Sequence, residues 1–472
     1  MKKIAIALAA LVAASAQGAP EKVLEIRVAS GNGLVEAATK LGRFVEYPAL
    51  GSLVQMGLGN QPLAAEYGAL RPDAAIYGVL RFDADAFSVD SPAAAYSGAM
   101  LYPTALTKAE FLAAHTNATE EADGTVKYDD DSLLFADGVG FAVGYPSGTA
   151  DLALLKSVVD EARSSAPLAA GDVLTVNMPA ALWRAVGKLL PQLQELDESG
   201  MKALKLLDEF ADASLSLRVT DAGLDFDASC AFVPGGELAK LGGKALAGGD
   251  PLAFADKDAQ VACAYAADMG QGAFDAQVSK AIAVLAQHGV ATGRFLKYRK
   301  TGDVARFDID IPALVAYLTD DSFEFTGDFD SFVKDIDEAL SAEFKAESPA
   351  LSVVEYFAGM AANESPSVRF AKAMPEFAGK PLAHAGVFSL YALAKGATAQ
   401  VLEALPAEAT EELGALKSAC RALPDETGAA VASATFRDGG RLRSVVRITP
   451  MELKGLFQAA QVGITVYQMF KD

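Results

Sequence analysis

Hydrophobic and polar positions alternate most cleanly over residues 213–232. Leu215, Leu217 and Val219 alternate with polar or small residues, and Leu224, Phe226, Ala228, Cys230 and Phe232 do so again after Asp221-Ala-Gly223. A period of two in both runs predicts a β-hairpin with one buried face. Pro234 and a helix-like Glu237-Leu-Ala-Lys-Leu241 follow. Proline fixes φ at about −65° and lacks an N–H, so it stops a strand and suits the first turn of a helix. The order hairpin, proline, helix returns at 295–318 with Pro312 and at 431–457 with Pro450. The first and last copies lie about half the mature chain apart, so the pattern points to two related halves, an internal duplication.

The rest of the chain fills in the same vocabulary. Strands are predicted at 23–28, 74–82, 139–145, 173–178, 259–267 and 387–394, and a loop at 83–97. Helices are predicted at 34–44, 107–114, 151–164, 180–190, 200–210 and 274–287, and the acidic stretch 320–357 reads as helix-rich. Thr107 with Glu110 three residues on is a capping box. Leu152, Leu155, Val158 and Val159 share a helical face. Gly242-Gly243, Gly248-Gly249 and Pro251 mark the best boundary. The expected fold is α+β: two similar domains of antiparallel β-hairpins packed against helices, at 17–245 and 246–472.

Length and composition agree with a folded chain, since 472 residues exceed one ordinary core and 51% are hydrophobic against 21% charged. The first residues change the picture. Lys2 and Lys3, an apolar run from Ile4 to Ala14, and Ala14-Ser15-Ala16 together form a bacterial-type cleaved signal peptide at 1–16, with maturation near Gln17. No later run reaches about 18 unbroken apolar residues. The expected location is therefore periplasmic or secreted, with no transmembrane anchor after signal removal. The net charge is −21, and the signal carries off Lys2 and Lys3. Such a field repels phosphate backbones, which argues against nucleic-acid partners. Of three cysteines, Cys230 and Cys263 are the pair to test for a bridge.

Reactive constellations are scarce. His115, His288 and His384 are far apart, with no metal-ligand spacing and no G-x-S-x-G elbow; Gly144-Tyr-Pro-Ser-Gly148 has its serine one place late. Gly31-Asn-Gly33 is followed by Glu36 where a dinucleotide loop needs Gly or Ala. Ser199-Gly-Met-Lys202 and Lys300-Thr-Gly302 match fragments of the acyl-serine β-lactamase pattern, but the intermediate element is missing, Ser331-Phe-Val-Lys334 matches equally, and Thr301-Gly302 is explained as a turn. Asp129-Asp-Asp131, Asp320-Asp321 and Asp328-Phe-Asp330 offer oxygens without the calcium-loop register. Asp308 and Asp310 read as a solvated strand face. The sequence thus assigns no catalytic, cofactor-binding or metal residue and no cofactor. It predicts an exported, soluble, non-enzymatic envelope protein that binds an apolar or peptide ligand or a protein partner. The alternative is a periplasmic hydrolase using dispersed carboxylate or serine residues.

Overall fold

The computed structural model describes residues 21–59, 68–83, 86–87, 95–145, 150–164, 168–193, 198–246, 249–266, 269, 274–302, 304–320, 328–340, 352–357, 364–404 and 414–469. The expected signal segment and the Pro146-Ser147-Gly148 stretch lie outside them. Two compact units emerge. The first comprises the described residues up to 43 with 47–221 and 225–239, and the second 44–46, 222–224 and those from 240 onward. Both mix helices with a large, mainly antiparallel sheet, an α+β fold.

In chain order the first unit contains β1 (Glu21–Val28), α1 (Gly31–Phe44), α2 (Leu50–Gly59), β2 (Ile76–Phe82), β3 (Tyr96–Tyr102), α3 (Lys108–Ala114), β4 (Thr119–Glu120), β5 (Val126–Tyr128), β6 (Asp131–Ala136) and β7 (Gly140–Tyr145). It continues with α4 (Leu152–Ser164), β8 (Asp172–Pro179), α5 (Ala180–Leu193), α6 (Glu198–Leu207), β9 (Phe210–Thr220) and β10 (Gly223–Phe232). The strands lie in the order β10-β9-β8-β1-β2-β3-β7-β6-β5-β4.

The pleat sends alternate residues of β2 to opposite faces. Tyr77 and Val79 pack with Ala99, Leu101 and Ala142 under Leu154, Leu155, Val158 and Val159 of α4. Leu80 and Phe82 join Val23 on the other side, under Ala181, Leu182, Ala185, Val186 and Leu189 of α5. Helices therefore cover both faces of the central strands. A third cluster sits under α3, where Phe111 meets Tyr128, Phe135 and Phe141 with ring centroids 5.3, 5.4 and 6.5 Å away. The α3 capping box is complete: Glu110 N donates to Thr107 Oγ1 at 3.2 Å, and Thr107 N donates to Glu110 Oε2 at 2.8 Å.

The second unit runs β11 (Val261–Tyr265), α7 (Phe274–Gln287), β12 (Leu296–Thr301), β13 (Val304–Ile309), α8 (Ile311–Leu318), α9 (Phe329–Leu340), β14 (Ser352–Phe357), α10 (Pro366–Ala373) and β15 (His384–Phe388). It ends with α11 (Leu390–Ala404), α12 (Gly414–Ala422), β16 (Val431–Asp438), β17 (Arg441–Ile448) and α13 (Pro450–Met469). Its sheet order is β12-β13-β14-β11-β15-β16-β17. One core face carries Ala262, Ala264, Ala385, Val387, Ala432 and Ala434 beneath Phe370, Met374 and Phe377. So many alanines let α10 and the turn after it approach the sheet closely.

Several expectations need correction. β13 and β14 are parallel, because α8 and α9 form a crossover that returns the chain in the same direction. After Pro234 only a single 3-10 turn forms, Leu238–Lys240, since the Glu209 carboxylate accepts the Leu238 amide at 2.7 Å and glycines flank the turn. The predicted loop at 83–97 gives way to β3 from Tyr96; with Gly98, Ala99, Leu101 and Tyr102 all buried, that strand shows no alternation. The predicted strand at 387–394 stops at Phe388, where Ser389 Oγ accepts the Ala392 amide at 2.9 Å and starts α11. Residues 320–357 include the strand β14 as well as α9. Asp310 is the N-cap of α8, accepting from Ala313 N at 3.0 Å, with Pro312 in the first turn. All three cysteines are free thiols, Cys420 buried and Cys230 and Cys263 half-buried.

The two units share one run of topology. In each, a first strand (β1 or β11) pairs with a later one (β8 or β15), two helices follow among the described residues, and a hairpin (β9–β10 or β16–β17) adds beside it. The β12–β13 hairpin has no such place, lying at the far end of its sheet.

Candidate functional site

The first unit holds a cleft of about 500 Å³ at the ends of β1, β2 and β3, bordered by α1, the C-terminal turn of α4, the 168–172 segment and the β6–β7 turn. Its size is in the range of ordinary small-molecule sites. Ala74, Ala75, Ile76, Tyr77 and Leu101 give it an apolar floor, and Val139 and Leu168 extend this up the walls.

Its charged groups were placed by folding, since they come from five separate stretches of chain. Arg27 and Tyr77 are cross-strand partners on one sheet face, the guanidinium 5.5 Å from the ring centroid. Glu25 Oε1 accepts from Arg27 Nε at 2.9 Å. Lys22 Nζ donates to Glu161 Oε2 at 2.9 Å and to Glu25 Oε2 at 3.4 Å, and the Tyr77 hydroxyl donates to Glu161. Burial, the hydrogen bond to Glu161 and the two nearby carboxylates push the Tyr77 phenol well above its ordinary range. Burial disfavours the Glu161 carboxylate, yet the donors Tyr77 and Lys22 outweigh it and hold its pKa below the usual value. Tyr77 is thus a fixed neutral donor, and Arg27 is locked in place.

On the walls, Arg71 grips Asp73, its Nη2 donating to Oδ2 at 2.9 Å, and its Nη1 donates to the Gly138 carbonyl. Asp172 accepts from Arg218 Nε at 2.6 Å. Arg163, at the end of α4, and Glu36, on α1, are exposed and have no ion-pair partner among the described residues. The α1 N-terminus is not a phosphate cradle: Asn32 N donates to Pro72 O at 2.7 Å, Gly33 N to Ser30 Oγ at 3.2 Å and Leu34 N to Ser30 O at 2.9 Å. Those first-turn donors are already used, against a nucleotide-loop role for Gly31-Asn-Gly33.

In the second unit, His384, Ser433, Cys263 and Tyr265 gather around Gly386 on the half-buried sheet face opposite α10. His384 Nδ1 lies 3.1 Å from the Ala264 carbonyl, which can only accept, so this nitrogen carries the proton; Nε2 accepts from the Ser433 hydroxyl at 2.9 Å. Tyr265 stacks on the imidazole, centroids 4.5 Å apart. Burial pushes His384 down to about 4. A serine, a base and an orienting acceptor are thus in line, but neither Ser433 nor His384 lines the first unit's cleft or the two cavities beside Arg369.

The other sequence signals have local explanations. Lys300 and Thr301 end β12 and Gly302 turns at φ +60°. Ser199 and Lys202 lie on α6, and Ser331 opens α9, donating its amide to Asp328 Oδ1 at 2.8 Å. Asp129 accepts from Asn117 at 2.9 Å, Asp320 from Arg294 at 3.2 Å, and Asp308 from Arg306 and Arg299. No group of three or more His, Cys, Asp or Glu suited to a metal occurs among the described residues. His115 packs on Phe111, centroids 4.3 Å apart, and His288 Nε2 lies 3.0 Å from Asp335 Oδ2.

No family model matches the sequence, and no curated protein does. Three crystal forms of a protein called TP0453 are similar in part. Form IV aligns at TM-score 0.24 and 8% identity over 47% of this chain and 79% of that one. Form III gives 0.25, 10%, 48% and 80%, and form I gives 0.24, 9%, 47% and 77%. Likeness this slight bears on neither fold nor function.

Proposed function

We propose that the chain is an exported, non-enzymatic envelope protein, periplasmic or secreted, with two domains of which the first binds a small ligand in the cleft over Ile76, Tyr77 and Leu101. The observation that carries this is a cleft of about 500 Å³ whose polar rim is fixed in advance by Glu25, Glu161 and Asp73. Fixed donors around an apolar floor lower the ordering cost of binding. No helix among the described residues is long and apolar enough to cross a membrane. The shared strand order of the two units supports descent by duplication.

Native mass spectrometry of protein purified from its own envelope is expected to show a co-purifying small molecule. Ala75 is exposed and lines the cleft, so Ala75→Trp fills the space and should remove that adduct with folding intact. A clean unliganded mass for the parent protein would sink the reading.

The Ser433–His384 pair favours the hydrolase alternative by its geometry alone. Incubation with a fluorophosphonate probe decides it: we expect no label on Ser433. Stoichiometric labelling that is lost in both Ser433→Ala and His384→Gln would assign acyl-serine chemistry to the second unit and overturn the non-enzymatic reading.

A further inference from the structure

Resting on that reading of the cleft, we infer that its ligand is a short peptide with free ends, Arg163 taking the terminal carboxylate and Glu36 the terminal ammonium. The inference follows from which charges in the cleft are already committed. Arg27 is held by Glu25 at 2.9 Å, Arg71 by Asp73 at 2.9 Å, and Asp172 by Arg218 at 2.6 Å. These pairs are neutral overall and leave little net field. Arg163 and Glu36 remain, one cation and one anion, both exposed, on two different helices bordering the same space.

A purely anionic ligand would meet Glu36 as an unpaired like charge, and a purely cationic one would meet Arg163. An uncharged apolar ligand would leave both without complement. A molecule with one charge of each sign and an apolar middle satisfies both helices and the floor of Ala75, Ile76 and Leu101. Arginine further suits a carboxylate because its planar fork offers parallel donors. Amino acids alone would leave most of the about 500 Å³ unfilled, so several residues are expected.

The test is calorimetric titration of the mature chain with the tripeptide Leu-Ala-Leu, its N-acetyl form, its C-amide and the doubly blocked form. Exposed ion pairs are modest, so each block should weaken binding about two- to fivefold. The loss on acetylation should vanish in Glu36→Gln, and the loss on amidation in Arg163→Gln; neither residue is buried, so folding is not at stake. Equal affinity for free and doubly blocked peptide overturns the assignment of the ends but leaves the cleft a peptide site. Losses that persist unchanged in both variants also overturn it. If no peptide binds, the inference falls, while a co-purifying adduct lost in Ala75→Trp still upholds the cleft as a binding site.

Discussion

Glu452→Ala is expected to destabilise the second unit by about 3–5 kcal/mol. Glu452 is 0% exposed, an unusual position for a carboxylate, and its surroundings explain how it is tolerated. It stands in the first turn of α13, where the helix dipole favours negative charge. Ser389 Oγ donates to it at 2.6 Å and Tyr391 N at 2.9 Å. The charge of Arg369, 5% exposed, lies close enough to act on it, and burial draws that guanidinium down to about 10. Alanine leaves the Tyr391 amide and the Ser389 hydroxyl short of an acceptor and Arg369 short of an opposing charge. Glu452→Gln keeps the shape and one acceptor, so it should cost much less.

The pH dependence has a definite sign. Burial outweighs these donors and raises the Glu452 pKa above 4.5. The native state therefore holds this proton more tightly than the unfolded chain, and the contribution to stability is full below the unfolded pKa and lost as pH rises through the folded one. His384, drawn down to about 4, works in the opposite direction. Only the difference between parent and Glu452→Gln isolates Glu452: the glutamine should cost more near pH 4.5 than at pH 7.5. Hydrogen exchange of the 389–392 amides, followed through urea, measures both. A loss under about 1 kcal/mol for the alanine variant would show that these donors find other partners.

What the sequence made legible was periodic and local. The strands of the hairpin at 213–232, the capping box at Thr107 and Glu110, and the proline-started helices α8 and α13 followed from spacing and from single-residue stereochemistry, but the hairpin's expected buried face did not: Leu215 and Phe226 are 37% and 38% exposed, whereas Asp225 is only 4% exposed. Elements buried on both sides were not legible, because a strand such as β3 replaces alternation with a run of small and apolar residues. The parallel partnership of β13 and β14 was hidden for another reason: nothing in either strand names its neighbour. The cleft was the least legible feature. Arg27 read as one residue of a strand and Arg163 as one of a helix, and no spacing in the chain joins them to Tyr77 or Glu36. Ser433 and His384, 49 positions apart, belong to the same class of pair made by sheet register alone.

Gly140→Ala should be as damaging to the first unit, by about 3 kcal/mol or more. Gly140 opens β7 at φ +132°, a conformation that side-chain-bearing residues rarely adopt. A Cβ there would overlap the Tyr102 carbonyl oxygen and come within 2.9 Å of both Pro103 Cα and Thr104 N. All three are backbone atoms, so no rotamer change relieves the contact; β7 must instead move away from β3, with which it pairs from Gly98 to Tyr102. That shift reaches the aromatic cluster, because Tyr102 and Phe141 stack 5.3 Å apart, and it reaches the cleft through Gly138 and Val139 two residues earlier. Gly138, also at positive φ, meets nothing within 4 Å of an added Cβ. Gly138→Ala therefore bears the conformational cost without the collision and should lose only about 1 kcal/mol. Trp183 is the single tryptophan and stacks on Phe210 at 4.6 Å within the first unit, so its fluorescence in urea follows this unit. A Gly140→Ala midpoint no lower than that of Gly138→Ala would mean that the backbone contact is not what fixes the β6–β7 turn.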